Sequence, residues 1–279
     1  MAARPSLEAR PLEGRDAFID VPPLSADFGA PDTGVSPAGP AARPDPATRN
    51  IPFGDGRSAM VVMPYSADRP ARLLAMIHGL CTGPSYACGA WKRAAAEVGL
   101  LVCPVGNATC GPAGSGGPSW DESFASMDED LEASIKVAAD PAHLAALAAG
   151  RPFPVTRDGA VLAGFSRGGY AAVILALRHP GRWPFLIINE ADVELTLPIV
   201  RAAGVRAVAL IAGEWGTQVD GERKTQETLS KVGFPIRLWV MPKTGHSYSA
   251  GIETIMTEAL DFVLAADGGT AVPQPTRPP

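Results

Sequence analysis

Short apolar runs alternate with longer amphipathic segments along most of the chain. Each run holds four to six residues and is mostly apolar on both faces, which is typical of a strand buried between two helix layers. The predicted strands are Ala59–Met63, Leu73–Ile77, Leu100–Cys103, Ala160–Gly164, Phe185–Ile188, Ala207–Ala212 and Ile236–Met241. The predicted helices between and after them are Gly89–Val98, Asp121–Ala138, Arg167–Arg178, Leu195–Ala203, Gly221–Lys231 and Ser249–Ala265. This alternation predicts an α/β fold with one mainly parallel sheet and helices on both faces.

The two ends of the chain depart from this pattern. Residues 1–50 hold nine of the 28 prolines, and residues 265–279 hold four more. We therefore predict an irregular N-terminal arm over 1–50, a folded domain over 51–265 and an irregular tail over 266–279. Within the arm, the short apolar piece Ala17–Val21 could add an edge strand.

Charge and hydropathy argue against two classes of partner. The chain has 24 basic and 29 acidic residues, a net charge of −5, and no basic patch suited to a phosphate backbone. We therefore expect no nucleic-acid partner. No stretch of about 18 uncharged apolar residues occurs, so we expect no membrane-spanning helix. The oligomeric state stays open.

The four cysteines lie within thirty residues of one another. They are Cys81, Cys88, Cys103 and Cys110. No Cys-x-x-Cys pair is present, which makes a zinc site a poor interpretation. We predict two disulfides, and therefore a secreted or periplasmic protein, with four reduced thiols as the alternative. Three connectivities are possible, and the sequence does not choose among them.

One turn has the pattern expected around a nucleophilic serine. The segment Gly164-Phe165-Ser166-Arg167-Gly168 matches G-x-S-x-G, lies directly after a predicted strand and begins a predicted helix. In such a strand–turn–helix the serine occupies a strained turn with its hydroxyl exposed above the sheet. The helix N-terminus also favours negative charge there. We predict that Ser166 is a nucleophile, the alternative being a glycine-rich packing turn.

The chain has four histidines, and one of them is placed to act as a base. His246 follows the last predicted strand, so it lies at the carboxyl edge of the sheet, where it could accept the serine proton. We expect His179, just after the serine helix, to interact with the last carbonyls of that helix. We expect His143 to be a surface or core residue in a helical stretch, and His78 to be structural.

Two backbone amides are candidates for an oxyanion hole. The amide of Arg167 directly follows the serine, and that of Leu80 lies in His78-Gly79-Leu80, just after the strand Leu73–Ile77. Tetrahedral intermediates are commonly stabilised by two N–H groups that point at one oxygen. An ordinary strand-to-helix turn is the alternative interpretation for the Leu80 segment.

Together these motifs resemble those of the α/β-hydrolase superfamily. His78-Gly79-Leu80, Gly164-x-Ser166-x-Gly168-Gly169 and Gly245-His246 match its oxyanion, nucleophile and histidine motifs, in its order. The chain is similar to secreted esterases and dienelactone-hydrolase-like enzymes. The resemblance implies an α/β-hydrolase fold and a serine hydrolase that needs no metal or cofactor. We expect no large cap, because only about one helix fits between Ile188 and Ala207.

The third member of the expected triad departs from the family pattern. The family commonly has an aspartate a few residues after the strand that precedes the histidine strand, and here that position is Gly216. A triad needs a carboxylate oriented toward the imidazole, not a fixed sequence position. We favour Glu190, which follows the neighbouring strand Phe185–Ile188. The alternatives that stay open are Asp220, Glu214 and Asp192.

These expectations combine into one activity and its rivals. We predict hydrolysis of carboxylic esters through a Ser166 acyl-enzyme. The lack of a cap favours bulky or polymeric ester substrates, and the loop Gly111–Ser119 with Trp120 is expected to border the cleft. Gly216 leaves open a non-catalytic binding protein on a degenerate hydrolase fold. A serine peptidase or acyltransferase is the other alternative.

Overall fold

The computed structural model describes residues 44–268, apart from 67, 69, 113–114 and 148–152. The predicted edge strand Ala17–Val21 and most of the predicted arm and tail lie outside the described residues. The first strand begins at Thr48, just ahead of the predicted domain boundary at residue 50. The division into arm, domain and tail stays a prediction.

Eight strands form the main sheet. They are β1 (Thr48–Gly54), β2 (Arg57–Val62), β3 (Ala71–Ile77), β4 (Gly99–Pro104), β7 (Val155–Phe165), β8 (Phe185–Asn189), β9 (Ala207–Gly213) and β10 (Ile236–Met241). Two further short strands, β5 (Ala108–Thr109) and β6 (Pro118–Ser119), pair with each other. The main sheet has the order β1-β2-β4-β3-β7-β8-β9-β10. The pairs β1–β2 and β2–β4 are antiparallel, and the pairs from β4 to β10 are parallel. The prediction of a mainly parallel sheet is confirmed.

Helices cover both faces of the sheet. They are α1 (Pro84–Ala87), α2 (Lys92–Val98), α3 (Phe124–Ala138), α4 (Pro141–Leu147), α5 (Arg167–Arg178), α6 (Leu197–Ala202), α7 (Val219–Ser230) and α8 (Ile252–Ala265). One apolar core joins α3, α5 and α7 to alternate strand residues such as Leu73 and Leu162. A second core joins α2 and α8 to the residues between them, such as Leu74 and Val161. Because the central strands are buried on both faces, each appears in the sequence as a continuous apolar run.

The topology brings the candidate residues to one edge of the sheet. The parallel strands β3, β7, β8, β9 and β10 all end at that edge, and the loops after them hold the predicted site residues. In open α/β sheets ligands bind in the crevice outside the carboxyl ends of the strands. The connection from β8 to β9 holds the single short helix α6 and no large cap. In the described part of the chain, no helix is both long and apolar enough to cross a membrane.

Candidate active site

Ser166 lies in the sharp turn between β7 and α5. Its backbone has φ 54° and ψ −120°, a conformation that non-glycine residues rarely adopt. The turn is held because the Ser166 N–H donates to the carbonyl of Asn189 at 2.9 Å and the Gly169 N–H donates to the carbonyl of Ser166. These bonds fix the serine at the N-terminus of α5, where the free amides of the first helical turn favour a nearby negative charge.

His246 lies within hydrogen-bond distance of the serine. Its Nε2 is 2.9 Å from Ser166 Oγ. The loop that carries it is fixed from two sides. The Tyr248 N–H donates to the hydroxyl of Tyr86 at 2.9 Å, and the carbonyl of Thr244 accepts the Trp215 N–H at 2.8 Å. This geometry allows proton transfer between the serine hydroxyl and the imidazole.

Glu190 faces the other nitrogen of the same imidazole. Its Oε2 is 3.4 Å from His246 Nδ1, and the side chain is fully buried. Its Oε1 accepts the backbone N–H of Gly213 at the end of β9. A Cβ atom on Gly216 would lie 3.0 Å from Glu190 Oε2. The glycine at the position where the family pattern predicts an aspartate thus leaves room for a carboxylate from the neighbouring strand.

The alternative acids have other environments. Glu214 Oε2 accepts the backbone N–H of Lys243 at 2.8 Å, and Asp192 accepts a hydrogen bond from the hydroxyl of Tyr170. Asp220 is exposed in the first turn of α7. The structure therefore brings Ser166, His246 and Glu190 together, gives Glu214 and Asp192 other partners, and leaves Asp220 exposed.

The other histidines have structural surroundings. His143 is exposed, with Nδ1 3.7 Å from Asp140. His179 does bond one of the last carbonyls of α5, because its backbone N–H donates to Leu175 at 3.1 Å, but its ring nitrogen lies 2.8 Å from Asp128 in α3. The buried Asp128 carboxylate attracts the imidazole more strongly than a neutral carbonyl would.

The loop after β3 passes directly beside the serine. A Cβ on Gly79 would lie 3.0 Å from Ser166 Cβ, which brings the adjacent Leu80 amide to the same edge as the Arg167 amide. The side chain of His78 fixes this loop through two hydrogen bonds. Its Nε2 accepts the N–H of Gly106 at 2.9 Å, so Nδ1 carries the proton and donates to the carbonyl of Gly79 at 2.7 Å.

Burial keeps His78 in the neutral form that these two bonds require. It lowers the pKa of the imidazole to about 4, against a smaller opposing effect of the Gly79 carbonyl. Trp120 stacks on His78 with ring centroids 4.8 Å apart and donates its indole N–H to the His78 carbonyl at 2.9 Å. Trp120 is 4% exposed, so it supports the loop and does not border the cleft as expected.

Comparison with known proteins identifies the fold that holds these residues. Residues 144–263 match the family model "Putative esterase". The structure resembles an esterase from Pyrobaculum calidifontis, at 15% identity and a TM-score of 0.52, over 78% of this chain and 85% of the other. The chain has the α/β-hydrolase fold. No curated protein matches it.

Two further solved structures share the α/β-hydrolase fold with this chain. One is the fluorophosphonate-binding serine hydrolase F of Staphylococcus aureus, at 15% identity and a TM-score of 0.51, over 77% of this chain and 97% of the other. The second is an S-formylglutathione hydrolase from Staphylococcus aureus, at 14% identity and a TM-score of 0.51, over the same shares. At these identities the likeness concerns the fold.

Both predicted disulfides are present, and the structure gives their pairing. Cys81 pairs with Cys110, and Cys88 pairs with Cys103. The first joins the loop that carries Leu80 to the loop between β5 and β6. The second joins the residue after α1 to β4.

Several residues around the candidate site belong to no recognisable sequence motif. Phe165 packs against His246 with ring centroids 5.3 Å apart, and Tyr86 stacks on Tyr248 at 5.1 Å. Asn189 donates its side-chain N–H to the Gly164 carbonyl at 3.2 Å and so links the ends of β7 and β8. Asn189 and Tyr248 could have been found by their proximity to Glu190 and His246 in sequence. Tyr86 could not, because it lies on the four-residue helix α1, which no pattern predicted.

Proposed function

We propose that the protein is a serine esterase in which Ser166 is the nucleophile, His246 the base and Glu190 the acid. One observation carries the proposal: Ser166 Oγ and His246 Nε2 are 2.9 Å apart, with the buried Glu190 carboxylate on the far side of the imidazole. The match of residues 144–263 to an esterase family supports the same activity.

The proposed reaction uses each of these groups in turn. Ser166 Oγ attacks the carbonyl carbon of the ester while His246 Nε2 takes the serine proton. The amides of Leu80 and Arg167 donate to the oxyanion that forms. The intermediate collapses when His246 gives its proton to the leaving alkoxide, which departs as an alcohol. Water then attacks the acyl-enzyme with His246 again as base, releasing the acid and restoring the serine.

Glu190 supports this cycle through its charge and its position. A carboxylate at Nδ1 favours the tautomer whose proton is on Nδ1, which leaves the Nε2 lone pair free for the serine proton. It also stabilises the imidazolium that forms during attack. Both effects depend on Glu190 staying close to the ring, which the Gly213 N–H supports.

The proposed substrates are bulky esters with an apolar part. The described residues hold four exposed large apolar side chains, Leu80, Leu177, Trp215 and Val232. Two of these, Leu80 and Trp215, lie on loops beside Ser166 and His246, and Trp215 is 68% exposed. An exposed apolar surface at an open site favours contact with an apolar group of the substrate.

Trp215→Ala tests the proposed contact. We expect the KM for a p-nitrophenyl ester with a long acyl chain to rise about five- to tenfold, because about 1 kcal/mol of apolar contact is lost. The KM for p-nitrophenyl acetate should stay unchanged. Val232→Ala is the control, since Val232 is exposed just before β10, at the opposite edge of the sheet. Equal changes in KM for both esters in Trp215→Ala would contradict the proposal.

Labelling with a fluorophosphonate tests the function itself. An activated serine attacks the phosphorus and displaces fluoride, whereas an unactivated hydroxyl does not react. We expect stoichiometric labelling of the wild type at Ser166, located by peptide mass spectrometry, and none of Ser166→Ala. Turnover of p-nitrophenyl esters should be lost in the same variant. An unlabelled, inactive wild type would favour the non-catalytic binding protein.

We also propose that the enzyme works outside the cell or in the periplasm. Two disulfides support an oxidising compartment, because structural disulfides are rare where thiols are kept reduced.

A further inference from the structure

A second buried carboxyl is attached to the turn that carries Glu190. Glu222 in α7 is fully buried, and its Oε1 accepts the backbone N–H of Ala191 at 3.0 Å. Ala191 directly follows Glu190, whose own backbone has a left-handed φ of 54°. A backbone in this region is strained for a residue with a side chain, and it persists when its surroundings hold it. The Glu222 hydrogen bond is therefore one of the contacts that fix the direction of the Glu190 side chain.

Four buried oxygens around this turn lack a hydrogen-bond partner among the described residues. They are Oε2 of Glu190, Oε1 of Gln218, Oε2 of Glu222 and Oδ1 of Asn189. Glu190 Oε2 and Gln218 Oε1 lie 3.0 and 3.4 Å from the position that a Cβ atom on Gly216 would take. Gln218 directly precedes α7 and lies four residues before Glu222, so the two side chains are on the same side of the helix. A buried acceptor without a donor is costly, and a carboxyl that carries a proton supplies a donor.

We propose that Glu222 is a positioning residue that holds the Glu190 carboxylate against His246 through the Ala191 amide. In this arrangement Oε1 accepts the Ala191 N–H, while Oε2 carries the proton of the neutral carboxyl. The inference rests on the proposed function, because it assigns Glu190 as the triad acid. Glu222 does not touch the substrate in this role; it acts through Glu190.

The electrostatic surroundings support a neutral Glu222. Burial raises the pKa of Glu222 well above its usual value, the Ala191 N–H opposes this, and the charges of Glu190 and Asp192 raise it further. These two carboxylates face Glu222 from the loop after β8, and the phenol of Tyr170 interacts with it from α5. A neutral carboxyl holds the turn without placing a second negative charge beside Glu190.

Kinetics of two substitutions at Glu222 test the positioning role. Glu222→Gln keeps an acceptor for the Ala191 N–H and a donor in place of the hydroxyl, so we expect kcat within twofold of the wild type. Glu222→Ala removes both groups, and we expect kcat to fall about tenfold or more with KM within twofold, because transition-state interactions are lost and substrate binding is not. Thr225→Val is the matched control. Thr225 lies one turn further along α7, and its hydroxyl donates to the carbonyl of Val193 in the same segment at 2.6 Å.

The control separates positioning from general loosening of α7. We expect Thr225→Val to lower the thermal midpoint of unfolding and to leave kcat near the wild-type value. Equal losses of kcat in Glu222→Ala and Thr225→Val would overturn the proposal, as would a loss in Glu222→Gln as large as in Glu222→Ala.

Thermal unfolding between pH 4 and pH 8 tests the protonated state without using activity. The ordinary pKa of a glutamate is about 4.3. Above that pH the unfolded chain releases the proton while the folded chain keeps it, so stability falls as pH rises toward the folded pKa. Glutamine does not titrate, so the midpoint of Glu222→Gln minus that of the wild type should increase with pH over this range. A difference that stays constant or decreases would show an ionised Glu222 and overturn that part of the proposal. Failure of the esterase proposal itself would appear separately, as a wild-type protein that the fluorophosphonate does not label.

Discussion

Glu190→Gln is expected to lower kcat for ester hydrolysis by about ten-thousandfold, the size of effect seen when a triad carboxylate becomes an amide. The reason lies in the two partners of this side chain. One oxygen accepts the Gly213 N–H, and the other faces His246 Nδ1 at 3.4 Å. A carboxylate accepts at both oxygens, whereas an amide accepts at one and donates at the other.

Neither orientation of the glutamine satisfies both partners. If its NH₂ group faces His246, it favours the tautomer with the proton on Nε2, and the ring can no longer accept the serine proton. If its oxygen faces His246, the NH₂ group meets the Gly213 N–H, and two donors oppose each other in a buried site. In both cases KM should change little, because the substrate does not contact residue 190. Initial rates over a range of ester concentrations separate the two constants.

The matched controls are the other carboxylates that the sequence left open. Glu214→Gln, Asp192→Asn and Asp220→Asn should each keep kcat within a few-fold of the wild type, since their side chains have other partners or face solvent. A wild-type kcat in Glu190→Gln together with a large loss in one of these variants would assign the acid to that residue instead.

The acid marks the limit of what the sequence pattern could predict about the site. Ser166 and His246 were predicted because each occupies a local motif after a buried strand. Glu190 has no such motif. Its role depends on the 3.4 Å between its Oε2 and His246 Nδ1, which face each other across the end of β9. It also depends on the space left because Gly216 has no side chain. Both facts need the register of neighbouring strands, which a single sequence does not contain.

The strands and helices predicted from the sequence are likewise those with a strong local pattern. Strands buried on both faces were predicted from their continuous apolar runs, and β10 was predicted with its observed bounds. Strand β1 was missed because it is an edge strand of mixed burial, with Pro52 and an exposed face. Helix α1 was missed because its four residues are too few for a periodic pattern to show, and the seven-residue helix α4 was also missed. The pairing of the cysteines likewise follows from strand order, since β4 lies beside β3 in the sheet.

The two disulfides should differ in what their loss does to catalysis. Cys81→Ser with Cys110→Ser opens a link across 29 residues, and Cys88→Ser with Cys103→Ser opens one across 15. Loop entropy predicts losses of about 3.6 and about 3.0 kcal/mol in the free energy of unfolding. Urea unfolding of the two double variants measures these losses, which should be similar.

The two double variants should differ in kcat, because Cys81 directly follows Leu80. Cys81 has a left-handed φ of 57°, so the loop there is held in a conformation that it would leave if the link were opened. Losing one oxyanion donor costs up to about 10²- to 10³-fold in kcat, and a loosened Leu80 amide should therefore cost about 10- to 100-fold. Cys103 lies in β4 and Cys88 directly follows α1, and neither is next to the Leu80 amide, so their loss should cost less in kcat than the loss of the first disulfide. Similar kcat losses in both double variants would mean that the disulfides support only the stability of the domain, and that the Leu80 amide does not depend on its neighbour.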